Sequence, residues 1–188
     1  MTEAPVTLRR MQRLVASERA FEGTCFRCLS PRYANVRDAI SGEGSRYAAG
    51  RFHVKGAFLI VYTACSLDLA LWEYTHTARS RGFDVAQLLP VMLLSLEVKL
   101  TRVLDLTDAA TRRALKINLP TVRMGSWEIS EGESATQQIG RLASEAGFEA
   151  ILAPSAGKRN NLNVLPANLS PDSIFRIINE QELPVSGG

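Results

Sequence analysis

The chain has 188 residues, 46% of them apolar, with a net charge of +3. That length fits one globular domain burying roughly 70% of its unfolded surface, and no run approaches the roughly 18 apolar residues that a membrane helix needs. Eighteen of the 22 basic residues are Arg, spread along the chain rather than clustered, which argues against a nucleic-acid tail.

The arginine bias leaves two readings: a GC-rich genome, or recognition of anions by the guanidinium fork, which pairs bidentately with phosphate and carboxylate. The N-terminus, MTEAPVTLRRMQRLV, lacks the apolar core and small-residue cleavage site of a secretory signal, and Glu3 and Glu18 weigh against a transit peptide. Residues 6–20 predict an amphipathic helix carrying Val6, Leu8, Met11, Leu14 and Val15 on one side. A strand is expected around Cys25–Leu29. Residues 30–50 are rich in turn formers, with room for one helical turn at 33–40. Ala57–Ala64 is a continuous apolar, β-type run that predicts a strand covered on both faces. Ser66 suits an N-cap and Asp68 the positive first turn of the helix that follows. On that helix Leu67, Ala70, Leu71 and Tyr74 share a face, while Leu69, Trp72, Glu73 and His76 share the adjacent one.

Leu94, Leu96, Val98 and Leu100 alternate with Ser95, Glu97, Lys99 and Thr101, as a half-exposed strand requires. A short helix is expected over 107–117 behind a Thr-Asp cap, then a polar loop over 118–134 around Trp127. A helix follows over 135–146, ended by Gly147, with strands over 148–154, 162–165 and 174–178. The closing ELPVSGG reads as a mobile tail. No repeat, linker or low-complexity tract breaks this order, so the expectation is one α+β domain, a mixed sheet with flanking helices.

Three cysteines, an odd number, suit a reducing cytoplasm. The pair Cys25-Phe-Arg-Cys28 has CxxC spacing, but on a strand residues three apart face opposite sides. A zinc site would also need a second ligand pair, for which Cys65, His53 and His76 stand at no recognisable spacing. Small core residues are the better reading, and no metal is expected. Gly42-Glu-Gly44-Ser-Arg46-Tyr47 begins like a dinucleotide fingerprint, but Tyr47 replaces the third glycine and no helix opens there. No Walker, HExxH or GxSxG sequence occurs.

A different chemistry fits Gly42–Glu73, where a glycine-punctuated arginine loop leads through an apolar strand to a helix bearing a carboxylate. Breaking the nicotinamide–ribose bond of NAD needs no strong acid, because the leaving group is already cationic. The barrier lies in an oxocarbenium-like sugar, as in glycoside hydrolysis. Such a site must clamp a pyrophosphate, stack the nicotinamide and place a carboxylate at the ribose. Arg27, Arg46 and Arg51 are candidates for the clamp, with each charge-assisted bond contributing about 1.5–3 kcal/mol. Tyr47, Phe52 and Tyr62 are candidates for stacking, and Glu73 for the ribose.

These pieces resemble the RES-domain family, toxins of bacterial toxin–antitoxin pairs named for an Arg, a Glu and a Ser. The resemblance rests on Phe26-Arg27, on GEGSRYAAGRF leading to VYTACSLDLALWE, on Ser134 with Gln137-Gln-Ile-Gly140, and on ILAPSAG with Asn161 beyond. It implies an α+β fold similar to the ADP-ribosyltransferase catalytic core and consumption of NAD by hydrolysis, phosphorolysis or transfer of ADP-ribose to a protein. It puts the family's arginines at Arg27 and Arg51, its tyrosine at Tyr62, its glutamate at Glu73 and its serine at Ser155, with Ser134 and Asn161 matching less firmly. The family's GGRWN pattern appears as AGRFH, so Phe52 loses the indole N–H, and His53 is not expected to copy an asparagine's paired donor and acceptor.

The expected catalytic residues are therefore Arg27, Arg51 and Glu73, with Tyr47, Tyr62, Ser134, Ser155 and Asn161 binding NAD as substrate rather than as a resident cofactor. The expected organisation is an arm over 1–22, a catalytic domain over 23–180 and a tail over 181–188. The expected function is a cytoplasmic toxin that degrades NAD, with a mono-ADP-ribosyltransferase and a non-catalytic binding module as alternatives. The partner that the resemblance implies is an antitoxin, expected to carry a helix-turn-helix DNA-binding domain and to occlude the site. No direct nucleic-acid contact is expected, and a homodimer or a hetero-oligomer with the antitoxin both stay open.

Overall fold

The computed structural model describes residues 7–15, 19–31, 36–80, 90–124, 132–157 and 159–183, with single positions at 82, 84 and 88. Among the described residues, seven strands form one mixed sheet. They are β1 (Phe21–Leu29), β2 (Val61–Ala64), β3 (Val91–Leu100), β4 (Val103–Asp105), β5 (Ala150–Pro154), β6 (Asn160–Val164) and β7 (Ile174–Leu183). Their order is β4-β5-β6-β2-β1-β3-β7, with only β4 and β5 parallel. Among the described residues, six α-helices accompany them: α1 (Leu8–Val15), α2 (Val36–Ser41), α3 (Leu67–Ser80), α4 (Ala109–Leu115), α5 (Leu119–Met124) and α6 (Ala135–Ala146). The architecture is the expected α+β one. No described helix is long and apolar enough to cross a membrane.

One core joins Met11 of α1, Leu115 of α4, Val122 of α5 and Ile139 and Leu142 of α6 to Ile151 and Ala153 of β5. Cys25, Val61, Leu96, Val98, Ala150 and Leu162 form a second cluster from alternate strand positions. The alternation expected for β3 holds, since Leu94, Leu96, Val98 and Leu100 are all buried. Cys25 lies in that core, all three cysteines are free, and no metal-binding cluster occurs among the described residues.

Four elements depart from expectation, each for a local reason. The N-terminal helix is described over Leu8–Val15, residues 16–18 of the expected helix lie outside the described residues, and Arg19 is no longer helical, its carbonyl accepting from Val103 N. The run 57–64 is a strand only from Val61. Over 56–58 the backbone pairs instead with the turn before it: Gly56 N donates to Ser45 O, and Ser45 Oγ donates to Phe58 O. Part of the loop expected over 118–134 is helix α5. Asn118 caps it, its Oδ1 accepting from Thr121 N at 2.8 Å, and Pro120 sits in the first turn where its missing N–H costs nothing. Trp127 lies outside the described residues. Finally, β7 runs to Leu183, paired with Val91, so Gln181, Glu182 and Leu183 of the expected tail belong to the sheet, and 184–188 lie outside the described residues.

The feature that makes room for a site is the junction of β1 with β2. Their ladder holds at one pair, Phe26↔Ala64. Beyond it β1 stays with β3 through Leu29↔Met92, and β2 stays with β6 through Val61↔Val164. The sheet therefore parts where Arg27 and Tyr62 lie.

Candidate active site

A cleft of about 510 Å³ occupies this split, lined by Arg27, Arg51, Tyr62, Glu73, Ser155 and Asn161 among others. Six of the eight expected site residues are thus brought together from β1, β2, α3, β6 and two loops. Three arginines, counting Arg123 of α5, face a single carboxylate across the lining, so the cleft favours an anionic ligand.

Glu73 reaches the cleft because α3 starts directly behind β2. Ser66 Oγ accepts from Leu69 N at 3.4 Å as the cap, and Leu69 and Ala70 bury against Ala64, Phe26 and Cys28. That packing turns Glu73 toward the split. Its Oε1 accepts from Ser155 Oγ at 2.7 Å and from Asn161 Nδ2 at 2.8 Å. Both donors are buried, at 2% and 4% exposure, so they hold the carboxylate rigidly. No hydrogen bond to Oε2 is made among the described residues.

Arg51 stands at the tip of a tight turn. Gly50 and His53 close it with a reciprocal backbone pair, Gly50 N to His53 O at 3.0 Å and His53 N to Gly50 O at 3.3 Å. Gln137, 3% exposed on α6, donates its Nε2 to Gly50 O at 3.2 Å and to His53 O at 3.1 Å. Arg51 Nη1 donates to Pro154 O at 3.2 Å and to Val122 O at 3.4 Å, and its guanidinium lies 4.9 Å over the Phe52 ring. Burial pushes the Arg51 pKa down, while the charge of Glu73 pulls it back up. Arg27 donates Nη1 to Ala39 O at 2.7 Å, and burial alone pushes its pKa down to about 10, which leaves it charged at neutral pH.

Tyr62 braces the same turn. Its hydroxyl accepts from Phe52 N at 3.0 Å and lies 3.0 Å from His53 Nδ1. His53 Nε2 is 2.8 Å from Ala48 O. A carbonyl can only accept, so Nε2 carries the proton and Nδ1 accepts from the Tyr62 hydroxyl. Burial lowers the His53 pKa and raises that of Tyr62, so both rings are neutral. The neutral imidazole thus does supply a donor and an acceptor at once, against the expectation drawn from the GGRWN departure.

Other expected residues are not in the cleft. Tyr47 is 77% exposed and absent from its lining. Ser134 is the N-cap of α6, its Oγ accepting from Gln137 N at 3.3 Å while Gln137 Oε1 accepts from Ser134 N at 2.9 Å. Phe52 is fully buried in the core, beneath Arg51 rather than beside a ligand. Arg46 turns back on Glu43 at 2.6 Å. In place of these, His53, Trp72, His76 and Arg123 line the cleft. For Trp72 and His76 the helical spacing around Glu73 was the available signal, whereas α5 had no signal strong enough to place Arg123.

A family profile for the RES domain matches residues 24–186. The chain belongs to the RES-domain family. Among individual relatives, the chain is similar to proteins named NAD(+) phosphorylase MbcT from Mycobacterium bovis and Mycobacterium tuberculosis. Each is 28% identical over 136 residues, which is 71% of this chain and 68% of the relative. A chain from the crystal structure of the M. tuberculosis MbcT–MbcA toxin–antitoxin complex has the same fold, with a TM-score of 0.75, 21% identity and 95% of both chains covered. The residues expected from the resemblance to match the family's arginines, glutamate and serine, Arg27, Arg51, Glu73 and Ser155, all line one cleft.

Proposed function

We propose that this chain is the toxin of a toxin–antitoxin pair and consumes NAD by breaking its nicotinamide–ribose bond. The observation that carries the reading is Glu73, fixed through one oxygen by Ser155 and Asn161 inside an arginine-lined cleft. A carboxylate held in this way keeps its second oxygen for the sugar. As the C1″–N bond breaks, its electron pair leaves with neutral nicotinamide and positive charge develops on the ribose. A preorganised carboxylate stabilises that charge without reorganising. Arg27 and Arg51 grip the pyrophosphate, whose charge keeps the ribose within reach of Glu73.

An oxygen nucleophile then bonds to C1″. The similarity to proteins named NAD(+) phosphorylase favours inorganic phosphate over water in this role, giving ADP-ribose 1″-phosphate. The cleft is open, so a protein seated across it would stop turnover. This agrees with the toxin–antitoxin complex in which the structural neighbour was solved. Three free thiols suit a reducing cytoplasm, where NAD is available as substrate, and this supports the reading.

The test mixes the purified protein with NAD, with and without phosphate and with added lysate protein. Nicotinamide and ADP-ribose 1″-phosphate are the expected products. Free ADP-ribose would mean hydrolysis, and labelled protein would move the reading to ADP-ribosyl transfer. No nicotinamide release under any condition would sink it. Glu73→Gln keeps the shape but loses the charge, and kcat is expected to fall about 10²–10³-fold with the melting temperature little changed.

A further inference from the structure

Trp72 and His76 lie one turn apart on α3, on either side of Glu73 in sequence. Their rings stack with centroids 4.6 Å apart and planes within 9°. Both line the cleft, and Trp72 keeps 40% of its surface exposed. The loop after β5 seats the indole. A Cβ on Gly157 would stand 2.6 Å from Leu69 Cδ1 and 3.0 Å from Trp72 Cε3, so the missing side chain is what lets the ring lie there. Gly157 N also donates to Ser155 Oγ at 3.3 Å, the hydroxyl that holds Glu73. One short segment therefore fixes both the carboxylate and the stacked pair.

The other aromatic candidates are committed elsewhere. Phe52 is buried, Tyr47 stands outside the cleft, and the Tyr62 hydroxyl braces the Arg51 turn. A stacked indole and imidazole offer a flat π surface, which attracts a cationic ring. In NAD the nicotinamide is such a ring and is bonded directly to the ribose that Glu73 would serve, whereas the adenine is separated from it by the pyrophosphate and a second ribose. Resting on the reading of the cleft as an NAD site, we propose that Trp72 and His76 form the stacking subsite for the nicotinamide ring.

The attraction is greatest for the ground-state pyridinium and fades as its charge passes to the sugar. The pair therefore strengthens substrate binding more than it lowers the barrier. Trp72→Ala is expected to raise KM for NAD about tenfold with kcat changed by less than about threefold, and His76→Ala to act in the same direction. Trp72→Phe restores most of the affinity, which a purely structural indole would not predict.

A direct readout uses Trp127→Phe, which leaves Trp72 as the single tryptophan. Nicotinamide mononucleotide is expected to quench its fluorescence, and ADP-ribose to bind without quenching. Quenching by ADP-ribose but not by the mononucleotide would assign the pair to adenine and overturn the proposal. No quenching by either, together with unchanged KM in Trp72→Ala, would overturn it too. Quenching by the mononucleotide in a protein that releases no nicotinamide from NAD would instead leave the subsite standing and remove the catalytic reading of the cleft.

Discussion

His53 shows how one side chain decides whether Arg51 is in place. Its Nε2–H and Nδ1 join the Ala48 carbonyl to the Tyr62 hydroxyl, and only the neutral ring can do both. Protonation would set a second N–H against a hydroxyl that already accepts from Phe52 N. Because burial holds the folded pKa below the ordinary value of about 6.5, the unfolded chain binds more protons in the interval between the two. Stability contributed by His53 is therefore present above about pH 6.5 and lost as pH falls through the folded value. Denaturant unfolding at pH 7.5 and at 5.5 should show a larger loss for wild type than for His53→Gln. The same residue marks a limit of sequence reading. Adjacent positions in the turn diverge, with Arg51 lining the cleft and Phe52 entering the core, and nothing in GRFH says which faces which way.

At the level of elements, α6 is the support for the Arg51 turn. Gly140 packs so closely that a Cβ there would lie 1.7 Å from Phe52 O. Gly140→Ala must push helix and turn apart, at a cost of about 1–3 kcal/mol in denaturant unfolding. Ser134→Ala separates two roles. As a capping residue it should cost about 1 kcal/mol of stability while leaving KM for NAD unchanged. A substrate-binding serine would show the reverse. The order of Ser134, Gln137 and Gly140 was legible as part of a family pattern, but its meaning was not. A serine three residues before a glutamine fits a capping box as well as a binding motif, and the long-range contacts that decide between them lie in other elements. The polar stretch ending β7 was read as tail for a related reason: an edge strand facing water carries polar residues, so its pairing leaves little apolar period to detect.

At the scale of the molecule, a buried carboxylate ties the far end of the sheet. Glu149 is fully buried; Oε2 accepts from Thr101 N, Thr101 Oγ1 and Arg102 N, and Oε1 from Ser170 N and Ser173 Oγ. Burial alone would raise its carboxyl pKa, but the hydrogen bonds from Ser173 and from the Arg102, Ser170 and Thr101 backbone outweigh it and hold the value at about 2. Its contribution is thus complete above the unfolded value of about 4.3 and is lost as pH falls toward 2. Glu149→Ala strands several buried donors, and a loss of at least about 2 kcal/mol in urea unfolding is expected. The fold class and most elements could be read from hydrophobic period and caps, whereas Arg27, Arg51, Tyr62, Glu73, Ser155 and Asn161, which line the cleft, were singled out by their residue types and the family resemblance. The parting of β1 from β2 that gathers them could not be read, because a one-pair ladder leaves no local trace in either strand.

The contacts that steady Glu73 come from positions 82 and 88 residues further along the chain. A ribosome must therefore finish β5 and β6 before that acid group is anchored, and the emerging polypeptide has no assembled cleft for most of its synthesis. For a chain that acts as proposed, the interval delays any turnover until the last strands close.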